Sequence, residues 1–308
     1  MLNITKNIQL FIIGTLVVGC SGNQNDNCEV STQTCQCGAV TGVQTCFEGG
    51  WGACVCSDSG EPDSELDAAP DGPCACGPLE TCFEGRFCVA KMTAIQGLYK
   101  IDQTEVTRGQ YRAWLATGPT VKGQPELCDF NSEFEPSDSC FKDPLVCQTN
   151  CDQHPQVCVD WCDAYAYCKA VGKRLCGKIG GGANEWGSSD DPNSSQWYRA
   201  CSSGGVNAYV YGNSYQPDAC EGHDKTCTYP PSCTTSPVGS WPTCSSSVEG
   251  YDQVFDLTGN VSEWEDSCYP SGFNQCRVRG GGFGSSAVEL VCAVGTDLPL
   301  RSDVGWGL

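Results

Sequence analysis

An irregular, loop-rich α+β domain preceded by a disulfide-rich stalk is the architecture this sequence predicts. Three observations predict it. Two amphipathic segments carry identifiable helix caps, and the text beyond them is glycine, serine, proline and short aromatic runs. Of the 27 cysteines, all but Cys20 fall in even blocks.

The elements follow in chain order. "MLNITKNIQLFIIGTLVVGC" opens with one lysine, Lys6, and an apolar run from Ile8 to Gly19. That run has signal-peptide length and is short for a permanent membrane span. Its end, Leu16-Val17-Val18-Gly19-Cys20, resembles the bacterial lipobox. The resemblance implies a lipoprotein signal peptide over 1–19 and lipidation of Cys20. The protein is then expected in the bacterial cell envelope, held to the membrane by a lipid anchor, periplasmic or at the cell surface. An ordinary cleaved signal is the plainer alternative.

Without Cys20, six cysteines lie between Cys28 and Cys56, four between Cys74 and Cys88, and sixteen between Cys128 and Cys292. Each even block is expected to close its own disulfides in an oxidising compartment. Cys35-x-Cys37, Cys54-x-Cys56 and Cys74-x-Cys76 superficially resemble zinc ligand pairs. The C-x₂-C spacing of zinc ribbons is absent, and exported thiols seldom stay reduced.

"CQCGAVTGVQTCFEGGWGACVC" is echoed by "CACGPLETCFEGRFCVA", both reading Cys-x-Cys-Gly and then Thr-Cys-Phe-Glu-Gly. Units of about twenty residues cannot build a core and must rely on disulfides. Between them, 57–73 has six acidic residues, three prolines and no aromatics, the composition of a self-repelling linker. Residues 20–91 therefore read as a cysteine-rich stalk, with adhesion as a second use for the repeats. A globular domain is expected over 92–308. In "TEVTRGQYRAWLATG", Thr107 caps a helix, Gln110 completes a capping box, and Tyr111, Trp114 and Leu115 share a face. In "VDWCDAYAYCKAVGKRL", Asp160 caps, Ala164, Tyr167, Cys168 and Val171 share a face, and Gly172 ends the helix.

The formal charge of −20, from 17 basic and 37 acidic residues, excludes nucleic acid as a natural partner. It suits solubility and divalent cations.

"IDQTEVTRGQYRAWL", "CVDWCDAYAYCKAVGKRL", "FDLTGNVSEWE" and "RVRGGGF" together resemble, in order, the formylglycine-generating enzyme (sulfatase-modifying factor) family. The resemblance covers nearly all of 95–308. It implies a compact fold with little regular secondary structure, related to C-type lectin-like domains. The family's enzymes oxidise a sulfatase cysteine to formylglycine with oxygen and a copper ion held by two cysteines. Other members bind without catalysis. In "FDLTGNVSEWE", Asp256 and Glu263 flank the turn dipeptide Gly259-Asn260, a mixture of carboxylate and backbone oxygen that suits a hard cation. The family places calcium in the matching loop. Carried over, its ligands are the side chains of Asp256 and Glu263 and the carbonyl oxygens of Gly259 and Val261. The plainer reading makes Asp256 a cap and Trp264 a buried side chain.

In the enzymes, the glycine turn leads into the two copper-binding cysteines. Here Ser285 and Leu290 fall at those positions, so no copper is expected. Cys292 matches a structural cysteine of the family better. The stretch from Cys176 to Ser195 reads as an insertion, and the closing Asp303 to Leu308 departs from the family's Gly-Phe-Arg, so that either the last strand differs or the reading frame is cut short. A glycosidase pair cannot be located from sequence, and a serine–histidine triad has only His154 and His223 to draw on. His154 precedes Pro155, where the family has a structural His-Pro. No dinucleotide fingerprint or P-loop is present. The expected function is a surface-anchored, non-catalytic domain binding or scaffolding a protein, peptide or glycan ligand. The alternative is a formylglycine-generating-type oxidase, or another enzyme with an altered active site.

Overall fold

The computed structural model describes the strands at 32–37, 40–47, 50–51 and 55–56, and then residues 74–137, 147, 149–222, 234–269, 275–293, 299–300 and 302–303. Cys20 and its signal segment, the linker 57–73, His223 and the chain end beyond 303 lie outside the described residues. The described residues fall into two compact units.

The first unit is the first repeat copy. β1 (Thr32–Cys37), β3 (Gly50–Trp51) and β4 (Val55–Cys56) all pair antiparallel with the long β2 (Val40–Phe47). Thr-Cys-Phe therefore ends a strand, as the same tripeptide does in the second copy.

The second unit begins, among described residues, with that second copy. β5 (Glu80–Phe83) and β6 (Phe87–Ala90) form a hairpin whose turn residues Glu84 and Gly85 both have positive φ, 49° and 71°. Glycine at the second position is what such a mirror-image turn requires. Cys74–Cys82 and Cys76–Cys88 staple it. The sulfurs of Cys74, Cys76 and Cys88 lie within 4.8 Å of one another, yet both bridges consume them, which leaves no thiolate for zinc there. Val89 and Ala90 are buried, and Phe83 and Phe87 pack on the core. The copy that composition assigns to the stalk is thus a wall of the globular unit.

A second hairpin follows, β7 (Met92–Ile95) and β8 (Tyr99–Asp102), which the sequence reading did not pick out. Both expected helices form. α1 (Arg108–Leu115) has Thr107 as N-cap with the Gln110 capping box closed in both directions. α2 (Trp161–Ala170) is capped by Asp160, whose carboxylate accepts from Cys162 N and Asp163 N, and Gly172 follows with φ 68°. Their inward faces meet in one aromatic cluster. Trp114 lies 5.0 Å from Tyr111, 5.2 Å from Phe134 and 5.5 Å from Tyr167, all buried. Burying such a side chain stabilises by about 1.5–3 kcal/mol. A second cluster joins Ile95, Tyr99 and Ile101 to Trp197 and Ala200 of the short helix α3 (Gln196–Cys201).

The last pair, β9 (Glu263–Cys268) and β10 (Cys276–Arg279), is antiparallel, with a register irregularity between Cys276 and Val278. The insertion from Cys176 to Ser195 buttresses β10. Arg277 lies 3.9 Å over the Trp186 ring, and the buried Arg279 side chain meets Asp190 at 3.2 Å and the Ser189 carbonyl at 3.1 Å. No helix of the described residues is long and apolar enough to cross a membrane.

Disulfides join Cys128 to Cys162, Cys147 to Cys151, Cys201 to Cys292, Cys220 to Cys244 and Cys268 to Cys276. Cys158 and Cys176 are bonded as well. Complete pairing within the block fails at Cys168. It faces the core of α2 as a free, buried thiol, and burial pushes its pKa up to about 12. Parity cannot distinguish a cysteine used as a small apolar core residue.

Candidate functional site

The loop 256–263 is a tight passage between the two core clusters. Asp256, Gly259 and Asn260 all have positive φ (62°, 93° and 58°), a strained run that short polar residues and glycine tolerate best. A Cβ at Gly259 would strike the carbonyl oxygen of Glu221. The glycine run crosses directly beside it. Gly259 N donates to Gly280 O at 3.0 Å, and Phe283 N donates to Asn260 O at 2.8 Å. At Gly280, φ is 88°, and a Cβ would lie 2.7 Å from the Leu257 carbonyl oxygen. Gly280 is required there because two backbones touch, and Gly281 (φ 68°) because a Cβ would lie 2.9 Å from the Glu289 carbonyl oxygen.

Asp256 is 1% exposed. Its Oδ2 accepts from Gly239 N at 2.6 Å, while Oδ1 is buried with no hydrogen-bond partner. Glu263 accepts from Trp197 Nε1 at 2.6 Å. Two further acidic residues, which the sequence reading did not assign, meet Asn260, Glu105 through its carboxylate and Glu221 through its main-chain carbonyl. Asn260 Nδ2 donates to Glu105 Oε2 at 2.9 Å, and Asn260 N donates to the Glu221 carbonyl at 2.9 Å. Ser236 Oγ donates to Glu221 Oε2 at 2.6 Å. Glu105 stands in the "TEVT" run just ahead of α1, where its charge reads as ordinary helix-start decoration, so no local signal marks it.

These groups are desolvated and repel one another. Burial, with a smaller push from Glu221, raises Asp256 to about 7 against the help of the Gly239 N–H. Burial also raises Glu263 to about 7, offset in part by Trp197 and reinforced by Asp256. Glu105 is pushed well above the ordinary carboxylate range by burial first, then by the charges of Asp256 and Glu263. Hard oxygen donors, mutual repulsion and an unpaired buried Asp256 Oδ1 are together the chemistry that a divalent cation offsets. Trp264 is buried among the α1–α2 cluster and donates to the Val159 carbonyl at 3.2 Å.

The glycine run carries no paired thiols. Ser285 closes a turn, with its Oγ accepting from Gly282 N at 3.0 Å. Leu290 is 3% exposed and packs against Gly222. Cys276 and Cys292, which bracket the run, are both in disulfides. His154 is buried, with Nδ1 2.8 Å from Thr235 Oγ1, and its pKa is lowered by burial and then by Arg108. It packs between segments.

The model of the Sulfatase-modifying factor enzyme 1-like domain matches residues 69–299, well over half of the chain. The chain belongs to this family. The α+β, loop-rich architecture described above is accordingly that of a sulfatase-modifying-factor-type domain. Among solved structures the chain is similar to CarF, with 20% identity over 67% of this chain and 82% of that one and a TM-score of 0.42. It is also similar to Treponema denticola variable protein 1, with 14% identity over 89% and 97% and a TM-score of 0.40. None of the curated proteins matches the chain.

Proposed function

We propose that this is a lipid-anchored protein of the bacterial cell envelope whose sulfatase-modifying-factor-type domain binds or scaffolds a partner and does not oxidise one. The observation that carries the reading is the pair Ser285 and Leu290. They stand where the resemblance puts copper-binding cysteines, and one is a turn hydroxyl and the other a core side chain. Neither supplies the sulfur that copper(I) requires. A protein, peptide or glycan remains the ligand class. Rigid framing by disulfides suits a domain that recognises through its loops.

The domain also carries, in this reading, a structural calcium ion. Asp256 and Glu263 hold it by their carboxylates, and Gly259 and Val261 by their carbonyl oxygens. Its chemistry is charge neutralisation within a buried loop.

Two measurements test the proposal. Purified protein incubated with copper, oxygen, reductant and a Cys-x-Pro-x-Arg peptide is expected to leave the peptide cysteine unchanged by mass spectrometry. Conversion to the aldehyde would return the enzyme reading. Cys20→Ser is expected to move the protein from the detergent phase to the aqueous phase, or to leave the precursor uncleaved. Aqueous partitioning of the unaltered protein would end the lipoprotein claim.

A further inference from the structure

Asp256, Glu263 and the carbonyls of Gly259 and Val261 offer four protein oxygens, whereas calcium takes about six to eight. The surroundings of Glu263 hold what can fill the difference. A half-open cavity of about 80 Å³ is lined by Glu105 and Glu263 together with Asp102, Trp197 and Trp264. Waters need on the order of 10–30 Å³ each, so the cavity has room for more than one, and its walls provide polar partners.

Glu105 is 4% exposed, and its Oε1 is buried with no hydrogen-bond partner. Its other oxygen is tied to Asn260 Nδ2 at 2.9 Å. Calcium–oxygen distances of about 2.3–2.6 Å require all ligand atoms to lie within about 5 Å of one another. Glu105, Asp256 and Glu263 do not form a trio with one oxygen each, all within 4.8 Å of one another. The three carboxylates therefore do not all touch one ion, and Glu105 is the one that reaches the 256–263 loop from outside, through Asn260.

We propose that Glu105 is a positioning residue whose Oε1 accepts a hydrogen bond from a calcium-bound water in the cavity it shares with Glu263. The proposal rests on the calcium reading above. Glu105 belongs to the segment between β8 and α1, so the ion, its water and this carboxylate join that segment to a loop about 150 residues downstream. A carboxylate that orients a metal-bound group in this way typically sets about 10–100-fold of metal affinity.

The test uses calcium itself, and terbium as its luminescent substitute. Calorimetric titration of the full chain with calcium is expected to show Glu105→Gln binding about 10–100-fold more weakly than the unaltered protein. Glutamine keeps the size and can still accept from Asn260, so the loss reads the charge on the water. Terbium lifetimes in H₂O and D₂O are expected to count at least one ion-bound water in the unaltered protein. Unchanged affinity in Glu105→Gln, or a count of zero waters, overturns this proposal and leaves the calcium reading standing. Absence of calcium binding by the unaltered protein overturns both. Should Glu105→Gln fail to fold, Glu105→Asp takes its place in the titration, where unchanged affinity overturns the proposal, and a zero water count on the unaltered protein overturns it independently.

Discussion

Reduction of the disulfides is expected to unfold the second unit. Seven bridges are seen directly there, and Cys158 and Cys176 are bonded too. Each closed loop stabilises by about 2–4 kcal/mol, against a total folding stability of about 5–15 kcal/mol for a typical domain. The bridges therefore exceed the margin they protect. Among the seven, Cys201–Cys292 should weigh most, since it closes the longest loop of those seven, with a sequence separation of 91. Loop-closure entropy puts a loop of that length at about 4–5 kcal/mol, so Cys201→Ala with Cys292→Ala should lower the melting temperature by ten degrees or more, roughly. Near-ultraviolet circular dichroism before and after reductant follows the collapse of the Trp114 cluster. A folded reduced protein would mean the aromatic cores suffice alone. Alkylation of the native, unreduced protein is expected to leave Cys168 unlabelled, because the thiol is buried and held far above neutral pKa.

Chelation of calcium should lower the melting temperature by about 5–10 °C at neutral pH. A cation that binds only the folded state adds about 2.7 kcal/mol at a hundredfold excess over Kd, and about 1 kcal/mol shifts a domain of this size by about 2–4 °C. The effect depends on pH with a definite sign. Asp256 and Glu263 are each raised to about 7 in the folded protein, above the unfolded carboxylate range of about 4. Without the ion, the folded state binds protons that the unfolded chain has released. The stability this protonation gives is fully present below about pH 4 and is lost as pH rises through about 7. The cation acts on the ionised form, so the calcium-dependent shift should grow as pH rises past 7 and fade toward pH 5. Asp256→Ala should abolish the response to chelator. The substitution will also cost stability by itself, because alanine at φ 62° is strained, so the decisive quantity is the response and not the starting temperature. An unaltered protein indifferent to chelator at pH 8 removes calcium from the account.

What could be read from the sequence was local or patterned. Thr107 with Gln110, and Asp160 with Gly172, fixed both helices, because a cap and its partner lie within a few residues and need no tertiary context. The order of Asp256, Gly259 and Glu263 in one loop was legible for the same reason. The likeness of four landmarks in register pointed to the family that the match over 69–299 establishes. Three things waited for the tertiary structure. Glu105 meets Asn260 across a separation of 155 residues, and Trp197 meets Glu263 across 66, distances over which a single sequence holds no signal. Cysteine parity counts thiols but not neighbours, so it could neither pair Cys201 with Cys292 nor exempt Cys168, whose fate was set by the side of α2 it occupies. The glycine run was open to two meanings in one dimension. Glycine permits a sharp turn and a close approach equally, and only the Leu257 carbonyl lying against Gly280 selects the approach: two buried backbones cross there, and no side chain fits between them.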